Sequence, residues 1–257
     1  KRTPGFPGAD IANVCNEAAL IAARKNKKAV DRQDFLDAID RIVGGLERRS
    51  KIISPAEKRT IAYHEAGHAT VSWWLPHANP LLKVTIIPRG NALGAAWYLP
   101  EERQITTTEQ MMDEMAATLG GRAAEEIING KISTGAMNDL EKVTKQAYAM
   151  VTYFGMSDKV GNISFYDSSG NSGYNLSKPY SEKTAELIDA EAKGFIDSAH
   201  TTALKVLREH MDGFVKLAEM LLEREVIFTD DLVKIFGERP GGQKPQTISS
   251  ETSPAAT

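Results

Sequence analysis

The chain has 257 residues, of which 42% are hydrophobic and 25% are charged, a composition typical of globular proteins long enough to bury a substantial core. Its formal net charge of −3 gives no general attraction to nucleic acid, and we expect no nucleic-acid partner. The single cysteine excludes an intrachain disulfide framework, and no apolar run reaches the roughly 20 residues that span a bilayer.

Two helices are predicted in the first 50 residues. The first covers residues 8 to about 27, where apolar residues recur at helical spacing and Cys15 is expected to be buried among them. The second follows Asp31 and ends at the glycine pair 44–45. A unit of about 45 residues is too small to form a stable core alone. We therefore interpret residues 1–50 as the end of another domain.

A mainly helical domain with a small β-sheet is predicted for residues 51–237. Its first helix has Ser54 as the N-cap and Glu57 as the partner in a capping box, and it ends before Pro76. The elements predicted after it are strands at 82–87 and 95–99, helices beginning near 107, 138 and 181, a hairpin or long loop at 156–180, and short helices at 212–224 and 229–236. Residues 238–257 have almost no apolar content and are predicted to be a disordered tail.

The pattern His-Glu-x-x-His occurs inside this first helix, at residues 64–68. Four residues make about one helical turn, so His64 and His68 lie on one face and can bind one metal ion at about 2.0–2.1 Å. Glu65 is placed to act as the general base of a zinc peptidase. A solvated helix face is the simpler alternative, but residues 61–74 are too apolar for it. Gly67 costs about 1 kcal/mol relative to Ala inside a helix, which suggests that a strand or substrate approaches the backbone there.

The third zinc ligand is not decided by spacing. A catalytic zinc site uses three protein ligands and leaves one position open. The remaining histidines are weak candidates because of where they lie in the predicted elements: His77, His200 and His210. A carboxylate is left, either in the pair Glu125 and Glu126 or at Asp139. Asp139 would lie in the first turn of a helix, where the helix dipole favours a carboxylate, but a plain helix cap would look the same.

Several blocks of the sequence resemble the FtsH family of membrane-anchored, ATP-dependent zinc metalloproteases, which includes the mitochondrial m-AAA proteases. These blocks are residues 3–10, 15–20, 42–46, 64–68, 119–126 and 134–139. Beyond Asp139 the resemblance rests on the helical pattern alone. The resemblance implies that Asp139 completes a Zn²⁺ site with His64 and His68. It also implies that Glu125 and Glu126 support the site or the fold without binding the metal.

The resemblance further implies that residues 1–50 are the last helices of an AAA+ ATPase lid. No G-x-x-x-x-G-K-[ST] phosphate loop occurs in the sequence, so ATP is expected as a cofactor of the full-length protein only. Members of the family work as homo-hexamers that degrade unfolded or membrane polypeptides. We therefore expect an endopeptidase at the cytoplasmic or matrix face of the inner membrane. Membrane contact would come through an N-terminal segment that this chain lacks.

A second interpretation is a non-catalytic helical oligomerisation platform of an AAA+ assembly, with late apolar helices such as residues 217–222 at subunit contacts. Glu65 separates the two interpretations, because a purely structural metal site needs no general base. If the strand predicted at 95–99 forms a sheet edge beside the metal, it could pair with an extended substrate through backbone hydrogen bonds.

Overall fold

The computed structural model describes residues 7–44, 53–88, 94–98, 105–165 and 179–240. The elements within these ranges, in chain order, are α1 (Gly8–Arg24), α2 (Arg32–Gly44), α3 (Pro55–Trp74), β1 (Leu81–Thr85), β2 (Ala95–Tyr98), α4 (Thr108–Asn129), a 3-10 turn (Thr134–Ala136), α5 (Met137–Thr152), α6 (Glu182–Glu209), α7 (Met211–Arg224), β3 (Val226–Phe228) and α8 (Thr229–Phe236). The mainly helical class with a small sheet is confirmed. Over the same ranges, every helix is too short or too polar to traverse a bilayer.

Helices α1 and α2 form a hairpin with a small core of its own. The apolar cluster that forms this core consists of Val14, Ala18, Ile21 and Ala38. Cys15 is exposed, so the expectation that it is buried was wrong. The reason is the size of the hairpin: one neighbouring helix covers only one stripe of α1, and Cys15 lies beside that stripe.

Helix α3 is the central element of the larger unit and packs against α4, α6 and α7. The Ser54 hydroxyl accepts a hydrogen bond from the Glu57 backbone N–H at 3.2 Å, which fixes the helix start as predicted. Every residue from Ile61 to Trp73 is buried. A helix surrounded in this way has no face in contact with bulk solvent, so the alternative of a solvated helix face is excluded.

Helices α3 and α4 touch through their backbones at a pair of glycines. A Cβ atom on Gly67 would lie 2.6 Å from Ala124 Cβ, and one on Gly120 would lie 2.7 Å from the Gly67 carbonyl oxygen. Neither distance leaves room for a side chain. The sequence correctly predicted a close approach at Gly67, but the approaching element is helix α4 and not a strand or a substrate.

The three strands form an antiparallel sheet in the order β2-β1-β3. β1 and β2 are the two predicted strands, with slightly different ends. β3 was not predicted, because three residues are too few to show an alternating pattern. Of the hairpin or loop predicted at 156–180, residues 166–178 lie outside the described ranges, and residues 156–165 form no strand.

The end of α3 is bound by an arginine from the C-terminal part of the chain. The Arg239 guanidinium donates hydrogen bonds to the carbonyl oxygens of Ser72 at 3.4 Å and Leu75 at 3.2 Å, and also to that of Ala78. Since α3 has no basic residue in its last turn, Arg239 supplies the cation that this end of a helix favours. Arg239 lies in the segment predicted to be a tail, of which residues 241–257 are outside the described ranges.

Candidate metal centre

Two histidines of α3 and one aspartate of α5 bring three ligand atoms together. His64 Nε2 lies 3.0 Å from His68 Nε2, and Asp139 Oδ2 lies 3.3 Å from each of these nitrogens. Within the described ranges, this is the one group of three His, Cys, Asp or Glu side chains whose ligand atoms converge. The two histidines come from adjacent turns of one helix, and Asp139 lies in the first turn of another, as the sequence predicted.

The spacing of the three atoms fits a zinc ion. Tetrahedral ligands at about 2.0–2.1 Å from zinc lie roughly 3.3–3.4 Å from one another. The observed separations of 3.0 and 3.3 Å are close to this value. The donor set of two imidazoles and one carboxylate is also one that catalytic zinc sites use. The residues present therefore fit Zn²⁺.

Hydrogen bonds at the opposite nitrogens orient both imidazole rings. His64 Nδ1 lies 2.8 Å from Glu125 Oε1, and His68 Nδ1 lies 3.0 Å from the Ala117 carbonyl oxygen. Both partners are acceptors, so each Nδ1 carries the proton and each Nε2 presents a lone pair. The Gly121 N–H also lies 3.3 Å from His68 Nδ1, but the shorter contact with the carbonyl sets the tautomer. Three acceptor atoms thus face one another, an arrangement that a cation stabilises.

The surroundings of His64 favour positive charge. With no metal ion at Nε2, burial would lower the pKa of His64, but hydrogen bonds with Asp139 and Glu125 outweigh it and raise that pKa to about 10, so that a proton on Nε2 takes the place of the cation. Burial likewise opposes ionisation of Asp139, yet the hydrogen bonds from His64 and His68 hold the pKa of its carboxyl well below the usual value. Both directions have the same cause, which is the hydrogen bonding between carboxylates and imidazoles in one buried cluster.

Glu65 is buried beside the three ligand atoms, with 7% of its surface exposed. Burial raises the pKa of its carboxyl, and the charges of His68 and His64 oppose that rise. A Cβ atom on Gly94 would lie 2.7 Å from Glu65 Oε1, so the backbone that leads into β2 passes directly over this carboxylate. The residue just before β2 is therefore a neighbour of Glu65, which is the condition that the hypothesis of substrate pairing with this strand required.

The other candidate ligands lie outside the cluster. The three remaining histidines contact other groups: the His77 backbone N–H donates to Asp113, His200 Nε2 lies 3.3 Å from Glu126 Oε2, and the His210 ring stacks on Trp74. Glu125 is only 1% exposed and faces the side of His64 away from the cluster. The Glu126 side chain is 45% exposed. The structure thus separates two adjacent glutamates that the sequence could not distinguish.

Comparison with known protein families identifies the family to which the larger unit belongs. The model of peptidase family M41 matches residues 51–235. The chain belongs to peptidase family M41. A second family model, the AAA+ lid domain, matches residues 1–37. The resemblance to the FtsH proteases, and with it the interpretation of the first helices as part of an AAA+ lid, is confirmed.

Individual M41 relatives match nearly the whole chain. The chain is 64% identical over 248 residues to the ATP-dependent zinc metalloprotease FtsH of Parabacteroides distasonis, a match that covers 96% of this chain and 36% of that protein. It is 56% identical over 239 residues to the mitochondrial ATP-dependent zinc metalloprotease FTSH 8 of Oryza sativa subsp. japonica, with 93% and 29% covered. It is 52% identical over 242 residues to AFG3L2 of Mus musculus, a mitochondrial inner membrane m-AAA protease component, with 94% and 30% covered. The chain thus spans about a third of the length of these relatives.

Gly121 is a neighbour of the metal-ligand cluster that sequence reasoning missed. A Cβ atom there would lie 2.5 Å from His64 Cε1 and 2.6 Å from His64 Cδ2, so the imidazole rests against the backbone of α4. The available signal was the pair Gly120–Gly121 inside a predicted helix, where glycine is unfavourable unless something approaches closely.

We predict that Gly121→Ala weakens zinc binding about 10- to 100-fold, because the new methyl group displaces the His64 imidazole. Competition with a chromophoric chelator measures the dissociation constant. Gly194→Ala is the matched control, since a Cβ atom there meets nothing within 4 Å in helix α6. Equal zinc affinity in the wild type and both variants would contradict the expected contact.

Glu125 links the two halves of the site. Its Oε1 atom accepts from His64 Nδ1 at 2.8 Å, and its Oε2 atom accepts from the Ser133 backbone N–H at 2.8 Å. Ser133 precedes the 3-10 turn that leads into α5, the helix that carries Asp139. One buried carboxylate therefore orients an imidazole of α3 and holds the segment that positions Asp139.

We predict that Glu125→Gln weakens zinc binding about 10- to 100-fold, since an amide cannot accept both hydrogen bonds and carries no charge. The same chelator competition measures the loss. Glu126→Gln makes the same chemical change at an exposed neighbour and is expected to leave zinc affinity unchanged. A similar loss in both variants would mean that Glu125 has no special role.

Proposed function

We propose that this chain is the peptidase part of an ATP-dependent zinc endopeptidase, with His64, His68 and Asp139 as the zinc ligands and Glu65 as the general base. One observation supports this most directly: three ligand atoms converge within 3.3 Å beside a buried carboxylate. Membership of peptidase family M41 and the names of the relatives agree with the proposal.

Each residue has a distinct part in hydrolysis. His64, His68 and Asp139 hold the zinc ion, which when bound lowers the pKa of water and polarises the scissile carbonyl. Glu65 accepts a proton from the attacking water at a carboxylate oxygen and delivers it to the nitrogen of the leaving amine. Glu125 keeps the His64 ring in the tautomer that presents Nε2 to the metal.

The position of β2 supports an extended polypeptide as the substrate. Among the described strands, β2 hydrogen-bonds to β1 only, and it lies at one edge of the sheet. An extended segment could add to this edge through backbone hydrogen bonds and cross over Glu65. Only an unfolded segment offers a free extended backbone. The proposed substrates are therefore unfolded or membrane polypeptides, cleaved without tight sequence choice.

The wider assignment follows the family. We propose residues 1–50 as the C-terminal helices of an AAA+ lid, 51–237 as the peptidase domain and 238–257 as a tail that is disordered beyond the point where Arg239 binds the end of α3. The full-length protein would form a homo-hexamer, use ATP and work at the cytoplasmic or matrix face of the inner membrane. The alternative, a non-catalytic oligomerisation platform, is less favoured, because structural zinc sites have four protein ligands and three converge here within the described ranges.

Removal and return of the metal test the proposed function. We predict that a chelator abolishes cleavage of a short unstructured peptide, that about one equivalent of zinc per chain restores it, and that magnesium does not. A peptide substrate is chosen because it needs no ATP-driven unfolding. Cleavage that persists after complete metal removal would contradict the proposal. A zinc-loaded chain that cleaves no peptide would instead favour the alternative of a non-catalytic oligomerisation platform.

A further inference from the structure

The outer face of the sheet carries a row of large side chains. Lys83 of β1 lies opposite Trp97 of β2 and opposite Phe228 of β3, so the three residues are cross-strand neighbours on one face. The Lys83 ammonium lies 4.5 Å from the centre of the Trp97 ring, within the range of a cation–π contact. Phe228 is 48% exposed. We call these three residues the outer row.

Helix α2 of the lid hairpin faces this row. A cavity of about 90 Å³ lies between them and is lined by Gln33, Leu36 and Ile39 of α2 and, from the sheet, by Leu82 and the outer row. The three α2 residues recur every three positions and therefore share one face of the helix. The cavity has room for a few water molecules but not for a further chain segment. The two surfaces thus face each other across a small gap, without the dense packing of a core.

Strand β2 lies between this contact and Glu65. Side chains alternate along a strand, so residues 94, 96 and 98 face one way and residues 95 and 97 face the other. Ala96 and Tyr98 pack against the main core, and the backbone at Gly94 meets the Glu65 carboxylate. Trp97 faces α2. A strand of four residues, paired within the described ranges on one side only, is easily displaced by a helix that pushes on it.

We infer that the outer row is the docking surface of helix α2, and that this juxtaposition transmits the position of the lid hairpin to β2 and to the Gly94 backbone that passes over Glu65. Movement of α2 towards the sheet closes the small cavity and presses Trp97. Movement away frees the outer face of β2. The part that concerns Glu65 rests on the proposed function, whereas the docking of α2 does not.

Crosslinking tests the docking. In a Cys15→Ser background, which removes the single native cysteine, Leu36→Cys is combined with Phe228→Cys and treated with a short bis-maleimide. We expect an intramolecular crosslink, identified by the monomer mass. The control pair is Phe35→Cys with Phe228→Cys, since Phe35 is 38% exposed and does not line the cavity. Equal yields in the two pairs, or crosslinks only between chains, would overturn the inference.

Hydrogen exchange tests the coupling without any peptidase assay. Leu36→Lys places a second ammonium beside Lys83 and should repel α2 from the sheet. We expect amide exchange in residues 95–98 to become about threefold or more faster, with zinc content unchanged. Phe35→Lys adds the same charge to α2 outside the cavity and should leave that exchange rate at the wild-type value. Unchanged exchange in Leu36→Lys, or an equal increase in both variants, would show that α2 does not hold β2.

Discussion

Replacing Glu65 with glutamine is expected to leave zinc bound and to slow peptide cleavage by about 10²- to 10⁴-fold. Glutamine has nearly the same shape as glutamate and can keep the packing against the Gly94 backbone. It cannot accept and return a proton. Since Glu65 is not one of the three converging ligands, the metal should stay in place. Zinc per chain and the rate of peptide cleavage, measured on the same preparation, check both halves of this prediction.

The control for Glu65→Gln is Glu126→Gln, which makes the same chemical change at an exposed position of α4. This variant should cleave at the wild-type rate. Cleavage by Glu65→Gln at the wild-type rate would show that Glu65 is not the base. Loss of zinc together with activity would mean that Glu65 has a structural role that its position beside the ligands does not suggest.

Replacing Asp139 with alanine is expected to weaken zinc binding by more than about 100-fold, a larger effect than the loss of a residue that only orients a ligand. Two imidazoles remain, but the carboxylate that balances the charge of the ion is gone. Asp139 lies at the start of α5, so its truncation removes no buried apolar contact. Zinc per chain after dialysis, and the dissociation constant from chelator competition, measure the effect.

Glu141→Ala serves as the control for Asp139→Ala. Glu141 is an exposed carboxylate two residues further along α5 that pairs with Lys145, and its loss should not change zinc affinity. If Asp139→Ala retains zinc with wild-type affinity, Asp139 is not a ligand. Glu125 would then be the carboxylate to examine next, because it already contacts His64.

Local sequence signals predicted the starts of the helices well. The Thr107 hydroxyl accepts from the Gln110 N–H, and the Gln110 side chain accepts from the Thr107 N–H, so the capping box of α4 forms as the residue types indicate. The spacing of His64 and His68 placed both imidazoles on one face of α3, and their Nε2 atoms do converge. Such features depend on residues within one or two helical turns, which is the range over which sequence patterns carry information.

The sequence could not predict features that depend on how helices and strands pack against one another. The choice between Glu125 and Glu126 is set by the face that α4 turns towards His64, and that face is fixed by the contact at Gly67 and Gly120. The spacing of residues within α4 does not determine which face turns towards His64. For the same reason, a strand or a substrate was expected to approach Gly67, whereas the structure has helix α4 there. The family resemblance supplied Asp139, which no local pattern singled out from the other carboxylates.

The arginine bound to the end of α3 has a consequence for biosynthesis. Arg239 meets carbonyl groups that lie 161 to 167 positions earlier in the chain. During translation, the helix that carries His64 and His68 is made before most of the peptidase unit. The hydrogen bonds from Arg239 to the C-terminal end of this helix can form only after almost the whole peptidase unit has left the ribosome. We therefore expect the peptidase unit to mature only after its own synthesis is nearly complete.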